Sequence, residues 1–173
     1  MYKQGLIEPF WGSEHRYLNY QREPFNCDAD VLRWRSQGYS QTHFTGAMYD
    51  MKNVMPNWCD RFFSLFDGIN TGLSFYKMET CNILPCHKDT YSYYKNLFDI
   101  KNNLSIWRAI IFLEDWKPGH IFEIEKTPIS KWKAGEYVLW QYDAEHMAAN
   151  LGLEPRYTAQ LTFTDIKGDY IVE

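Results

Sequence analysis

The chain has 173 residues, enough for one domain that buries roughly 70% of its unfolded surface without disulfides or a structural metal. Its formal net charge is −4, with Lys and Arg scattered singly, which gives non-specific nucleic-acid binding no electrostatic support. No apolar run approaches the roughly 20 residues of a membrane span, and the N-terminus MYKQGLIEPFWGSEHRY lacks a charged-then-apolar leader pattern, so the expectation is a soluble cytoplasmic protein with neither nucleic-acid nor membrane partners.

Taken in chain order, the first 52 residues are polar and aromatic, with turn signals at Pro9, Gly12 and Pro24. The run DADVLRWRSQG reads as a short helix after Asn26 that stops at Gly38. A second helix is expected in NVMPNWCDRFFSLFDG, where Pro56 suits a first turn, Trp58, Phe62, Phe63 and Phe66 recur at helical spacing, and Gly68 ends the run. From Gly72 onward the signal changes to strands: LSFYKME, CNILPCHKD, SIWRAIIFLEDW, HIFEIE, EYVLWQYD and RYTAQLTFTD, with turns such as KPG and KAG between them. The stretch TYSYYKNLFDIKNNL reads as a loop or short helix that could lie over a site. The apolar run AIIFL has no polar face and belongs at the centre of a sheet. The expected organisation is a helical or irregular support region over 1–72 and a β core over 73–165. Aromatics at 18% of the chain fit such a β-rich fold.

Four cysteines, Cys27, Cys59, Cys81 and Cys86, show neither a CxxC pair nor zinc-finger spacing and read as reduced, packed thiols. The chemistry gathers elsewhere. In an extended segment His87 and Asp89 of HKD share a face. Held together they offer two ligands to a transition metal; His15, His43, His120 and His146 are the candidates for a third. Alternation in RYTAQLTFT places Arg156, Thr158, Gln160 and Thr162 on one face. Inside a barrel such a face is costly unless something anionic is bound there. Two histidines and a carboxylate form the facial triad of non-haem Fe(II) oxygenases. Arg108, inside the apolar SIWRAIIFL, needs a partner, either structural or a bound ligand. His43 is a candidate substrate contact, and Tyr91, Tyr93 and Tyr94 are candidates for the substrate entrance.

The order HKD, His146, then Arg156 with Thr158 resembles the 2-oxoglutarate- and Fe(II)-dependent oxygenases, whose pattern is HxD, a distant His, and an Arg about ten residues further. WRAIIFLEDWKPGHIFEI resembles the strand–turn–strand after HxD, and WKAGEYVLWQYDAEHMAANLGLEPRYTAQLTFT resembles the closing strands. The likeness covers about residues 73 to 165. Within that superfamily DWKPGHIFEI looks most like the aspartyl/asparaginyl β-hydroxylase branch, which includes free proline hydroxylases. Many aspartyl hydroxylases have glycine where this chain has Asp89, so the match favours a full triad and weakens an aspartyl-type substrate.

The resemblance implies a double-stranded β-helix, a jelly-roll of the cupin type. It implies His87, Asp89 and His146 as ligands of Fe(II). The far carboxylate of 2-oxoglutarate would be gripped by Arg156 and Thr158, with Tyr76 as a further donor. It implies use of O2, with ascorbate as an optional reductant, and release of succinate as a C–H bond of a small-molecule or peptide substrate is hydroxylated, of the Pro, Asp or Asn type. The competing readings keep the barrel but change its use: a cupin-like metal-dependent isomerase or hydrolase, or a non-catalytic binding barrel.

Overall fold

A computed structural model of the protein describes residues 1–25 and 27–165; Asn26 and residues 166–173, which the one-domain expectation spans, lie outside the described residues. The strands are β1 (Tyr2–Leu6), β2 (Gln21–Pro24), β3 (Thr45–Asp50), β4 (Gly68–Met78), β5 (Ile83–His87), β6 (Ile106–Phe112), β7 (His120–Ile124), β8 (Thr127–Ile129), β9 (Glu136–Gln141), β10 (His146–Asn150) and β11 (Arg156–Asp165). They form a seven-stranded sheet in the order β1-β9-β6-β11-β4-β3-β2 and a four-stranded sheet in the order β5-β10-β7-β8, with every pairing antiparallel. The protein is mainly β, with two sheets and few helices, and its fold is the double-stranded β-helix that the sequence resemblance implies.

Alternation explains how the large sheet is buried on both faces. Tyr76, Met78, Ile110, Phe112, Val138 and Trp140 point inward and pack with Phe122, Ile124 and Ala148 of the small sheet. Phe75, Trp107, Ile111, Leu139, Ala159 and Phe163 point outward, where Cys59 and Phe62 cover them. The run AIIFL lies largely in β6, between β9 and β11, which is why it has no polar face. The turns read from KPG and KAG occur as expected: Gly119 and Gly135 adopt φ of +91° and +90°, a region that favours glycine.

Two expectations are corrected. The first 72 residues are not merely helical or irregular: they supply β1, β2, β3 and the start of β4. β1 and β2 form the two edges of the large sheet, and an edge strand half in solvent needs no apolar alternation to signal it. The expected helix around Trp58 is a 3-10 helix, Asn57–Ser64. Its buried residues, Cys59 and Phe62, lie three apart and so line up on one side of a three-residue turn. The two α-helices are α1 (Asp28–Ser36), where a short helix is expected, and α2 (Ser92–Phe98), where a loop or short helix is expected. Among the described residues no helix is long and apolar enough to cross a membrane.

An ion cluster fastens the N-terminal segment to the end of β6. Glu114 receives His15 Nε2 at 2.9 Å, Arg16 Nε at 2.6 Å and Lys117 Nζ at 2.9 Å. Burial pushes its carboxyl upward, but these three donors outweigh it and bring the pKa from 4.5 down to about 2. A depressed carboxylate binds fewer protons in the native state than in the unfolded one, so its stabilisation is present above the unfolded pKa and is lost as pH falls through the folded one. Stability is therefore expected to fall between pH 4.5 and about 2, and Glu114→Gln should flatten that part of a pH series of denaturant melts.

Candidate active site

Strand register builds the centre of the site. β10 pairs with β5 so that His146 lies directly opposite His87, and the two imidazole centroids are 4.4 Å apart. Each ring is oriented through its other nitrogen: His87 Nδ1 donates to Pro85 O at 2.7 Å and His146 Nδ1 to Ala144 O at 3.1 Å. That tautomer leaves both Nε2 lone pairs free for a ligand. Burial, against the pull of Asp89, holds the His146 pKa down at about 4, so the ring is a neutral donor at physiological pH.

Asp89 closes the set. Its Oδ1 is 3.7 Å from His87 Nε2 and its Oδ2 is 3.9 Å from His146 Nε2. One ligand atom from each of the three residues lies within 4.8 Å of the others. Burial pushes the Asp89 carboxyl upward, yet Arg108 and the two histidines prevail and hold its pKa at about 2. Two imidazoles and one ionised carboxylate on one side of a point suit a divalent transition metal with open coordination positions.

The rings are wedged by aromatic side chains. Phe25 and Trp34 meet His87 edge-on, at centroid distances of 4.8 and 5.7 Å. Trp140 lies 4.9 Å from His146. Phe25 and Trp34 belong to the N-terminal part, which the sequence marked only as a support region, without singling out either residue.

A cavity of about 370 Å³ opens over this cluster, and its wall includes His87, Asp89, His146, Tyr76, Arg108 and Arg156. Arg156 begins β11, and its side chain is buried at 4% exposure. Its Nη1 donates to Ile121 O on β7 at 2.7 Å, while its Nε is buried without a partner. Among the described residues no carboxylate forms an ion pair with it. Burial pulls its pKa from 12.5 to about 10, with Tyr76 the opposing influence. Tyr76, on the neighbouring strand, is in turn pushed up to about 12 by burial, against the charge of Arg156. Its hydroxyl occupies the space that a Cβ on Gly46 would fill, so glycine at 46 is what lets Tyr76 reach its position.

Of the residues singled out in the sequence, His87, Asp89, His146, Tyr76 and Arg156 share this one cavity. Thr158 is on the same inward face, at 1% exposure and in register with Tyr76 and Phe112, but it is not among the lining residues. Tyr91, Tyr93 and Tyr94 do line the cavity. The remaining histidines lie elsewhere. His120 Nε2 donates to Glu154 O at 2.9 Å, His43 Nδ1 accepts from Ser40 N at 2.9 Å, and His15 is tied to Glu114.

Asn150, in the connection between His146 and Arg156, ties the β10–β11 turn to the end of β4. The side chain is fully buried; its Nδ2 donates to Met78 O and Glu154 O, both at 2.9 Å, and its Oδ1 accepts from Gly152 N at 2.9 Å. A fully satisfied buried amide is worth about 1 kcal/mol per bond, and removing it strands its partners. Asn150→Ala is expected to cost about 3 kcal/mol, read as a fall of roughly 6–12 °C in Tm.

No family model matches the chain, and no curated protein matches it. Solved structures do. A prolyl-4-hydroxylase from Pseudomonas putida superposes with a TM-score of 0.58 over 94% of this chain and 91% of that one, at 13% identity. SnoK, a non-heme alpha-ketoglutarate dependent carbocyclase from nogalamycin biosynthesis, superposes with a TM-score of 0.56 over 87% of this chain and 81% of that one, at 12% identity. At these identities the likeness is one of fold. Fold and site together define a double-stranded β-helix protein with a candidate His-Asp-His metal centre inside it.

Proposed function

We propose that the protein is a 2-oxoglutarate- and Fe(II)-dependent dioxygenase that hydroxylates a C–H bond of an amino acid or a protein side chain. The observation that carries this reading is Arg156. A buried guanidinium without a carboxylate partner costs several kcal/mol, and it lines the same cavity as three metal-ligating side chains. A dicarboxylate that reaches from the metal to Arg156 would supply the missing counter-charge. The fold likeness to a prolyl-4-hydroxylase and to an alpha-ketoglutarate dependent carbocyclase supports the same reading.

In this reading His87, Asp89 and His146 hold Fe(II), which supplies oxygen activation when bound. Arg156 grips the far carboxylate of 2-oxoglutarate through paired N–H donors. The Tyr76 hydroxyl, kept protonated by burial, donates beside it, and Thr158 backs that corner of the wall. Phe25, Trp34 and Trp140 keep the imidazoles from turning. The apolar walls exclude water from the reacting centre. A cupin-like isomerase or hydrolase could use the same three ligands, but it would leave Arg156 without a task.

Addition of Fe(II) and 2-oxoglutarate without oxygen tests the reading. A weak visible charge-transfer band is expected from the chelate, and succinate should form once oxygen and a substrate are admitted. Metal binding without 2-oxoglutarate binding would overturn the assignment in favour of the hydrolase or isomerase.

A further inference from the structure

The polar face of β11 runs past Arg156. Gln160 and Thr162 also line the cavity, and the strands on either side add Ser74 and Arg108 to its wall. Register makes these four neighbours: Gln160 is opposite Ser74 on β4, and Thr162 is opposite Arg108 on β6. Apart from Arg156 and Thr158, the neighbouring part of this inward face is largely apolar, built from Tyr76, Met78, Ile110, Phe112, Val138 and Trp140. Four polar side chains in one patch of such a surface require a ligand or each other. They largely lack each other. Thr162 is only 6% exposed, yet its hydroxyl has no hydrogen-bond partner among the described residues, and neither has that of Ser74. The contact between Arg108 Nη1 and Gln160 Oε1 is a long 3.4 Å, and Arg108 Nε is buried without a partner.

Charge gives the patch a sign. Arg108 Nη2 lies 3.2 Å from Asp89 Oδ2, so without metal the two neutralise each other. Once a divalent metal and a dianionic oxo acid are present, those two cancel. Asp89 and Arg156 then cancel likewise, and the positive charge of Arg108 is left over. A water-poor cavity tolerates such an excess poorly. At the rim Lys52 is already shared between Glu23 and Asp50, at 3.0 and 3.3 Å. Lys52 and Glu23, at 49% and 39% side-chain exposure, are more exposed and better screened than Arg108 and Asp89. The guanidinium is held over the Tyr91 ring, 5.1 Å from its centroid, so it is oriented as well as charged.

We propose that Arg108, Gln160, Thr162 and Ser74 form a second anion subsite that docks one carboxylate of the substrate, distinct from the Arg156 corner. The remaining wall, with Leu84, Ile110, Phe122, Ala148, Leu97 and Phe98, then faces an apolar body. The substrate class is a monocarboxylate with an apolar or aromatic remainder. This subsite rests on the metal and oxo-acid reading for its charge balance, but it can be tested apart from turnover.

The test uses protein loaded with Mn(II) and saturated with 2-oxoglutarate, titrated calorimetrically with benzoate and with benzamide, which share a shape and differ in charge. Benzoate is expected to bind at least about tenfold more tightly, since a charge-assisted pair is worth about one decade or more. Arg108→Met should abolish that preference. Thr162→Val, which leaves the Arg108–Asp89 pair in place and nearly keeps the volume, should weaken benzoate roughly threefold or more and leave benzamide unchanged. Equal binding of the two probes by the native protein, or an acid preference that survives both substitutions, would overturn the subsite. Failure of 2-oxoglutarate to bind, with an Arg108-dependent acid preference intact, would instead remove the dioxygenase reading and keep the subsite.

Discussion

Arg156→Met is expected to bind 2-oxoglutarate about 10²- to 10⁴-fold more weakly while folding as well as the native protein. Two charge-assisted bonds to a carboxylate contribute about 1.5–3 kcal/mol each, and every 1.4 kcal/mol is a factor of ten. Stability should not fall in parallel. The native arginine is a buried cation with one backbone acceptor, Ile121 O, and no acidic partner among the described residues. Methionine of similar length removes the cost of burying that charge, and such replacements are often neutral or stabilising. An unchanged or raised Tm together with lost oxo-acid affinity is the signature of a residue kept for binding. A Tm lowered by many degrees would show that Arg156 is a structural brace instead.

Asp89→Ala should combine two large losses. The metal site loses its only anionic ligand, and affinity for Fe(II) or Mn(II) is expected to drop by more than the roughly 100-fold typical of supporting groups alone. The substitution also leaves Arg108, a largely but not fully buried cation, beside an empty space with its counter-ion gone, which costs about 3 kcal/mol. The double substitution Asp89→Ala with Arg108→Met separates the two effects. Stability should return toward the native value, because no unpaired charge remains, while metal affinity should stay low. Metal titration and denaturant melts on the native protein, the two single variants and the double variant would check both parts. If Asp89→Ala kept its metal affinity, the proposed ligand set would be wrong.

The sequence made the centre of this site legible because its parts obey short-range rules. HKD needs only the two-residue period of a strand to place His87 and Asp89 together, and RYTAQLTFT needs only the same period to expose a polar inward face. AIIFL identified the central strand because a run without a polar side must be covered on both. What stayed hidden depends on contacts between distant segments. Phe25 and Trp34 flank His87 across about 60 residues, and in a chain this rich in aromatics nothing marks them out. β1 and β2 carry Gly5 and Pro24 and little apolar alternation, so as edge strands they resemble loops. For Arg108 the apolar setting announced that a partner exists; that the partner is Asp89, the acid of the candidate ligand set, came only from the fold.

β5 is one of the two edge strands of the small sheet, held on its free side by Ile83 N to His43 O at 2.7 Å and Arg33 Nη2 to Cys86 O at 2.7 Å. Two of the three candidate ligands therefore travel with a border strand, while His146 stays with the interior. Detachment of that border would dismantle the ligand set without unravelling the rest of the protein. A bound ion resists such detachment in proportion to its affinity. Amide hydrogen exchange across Ile83–His87 should accordingly slow when metal is added, with β11 amides little changed, making this border strand a direct reporter of occupancy.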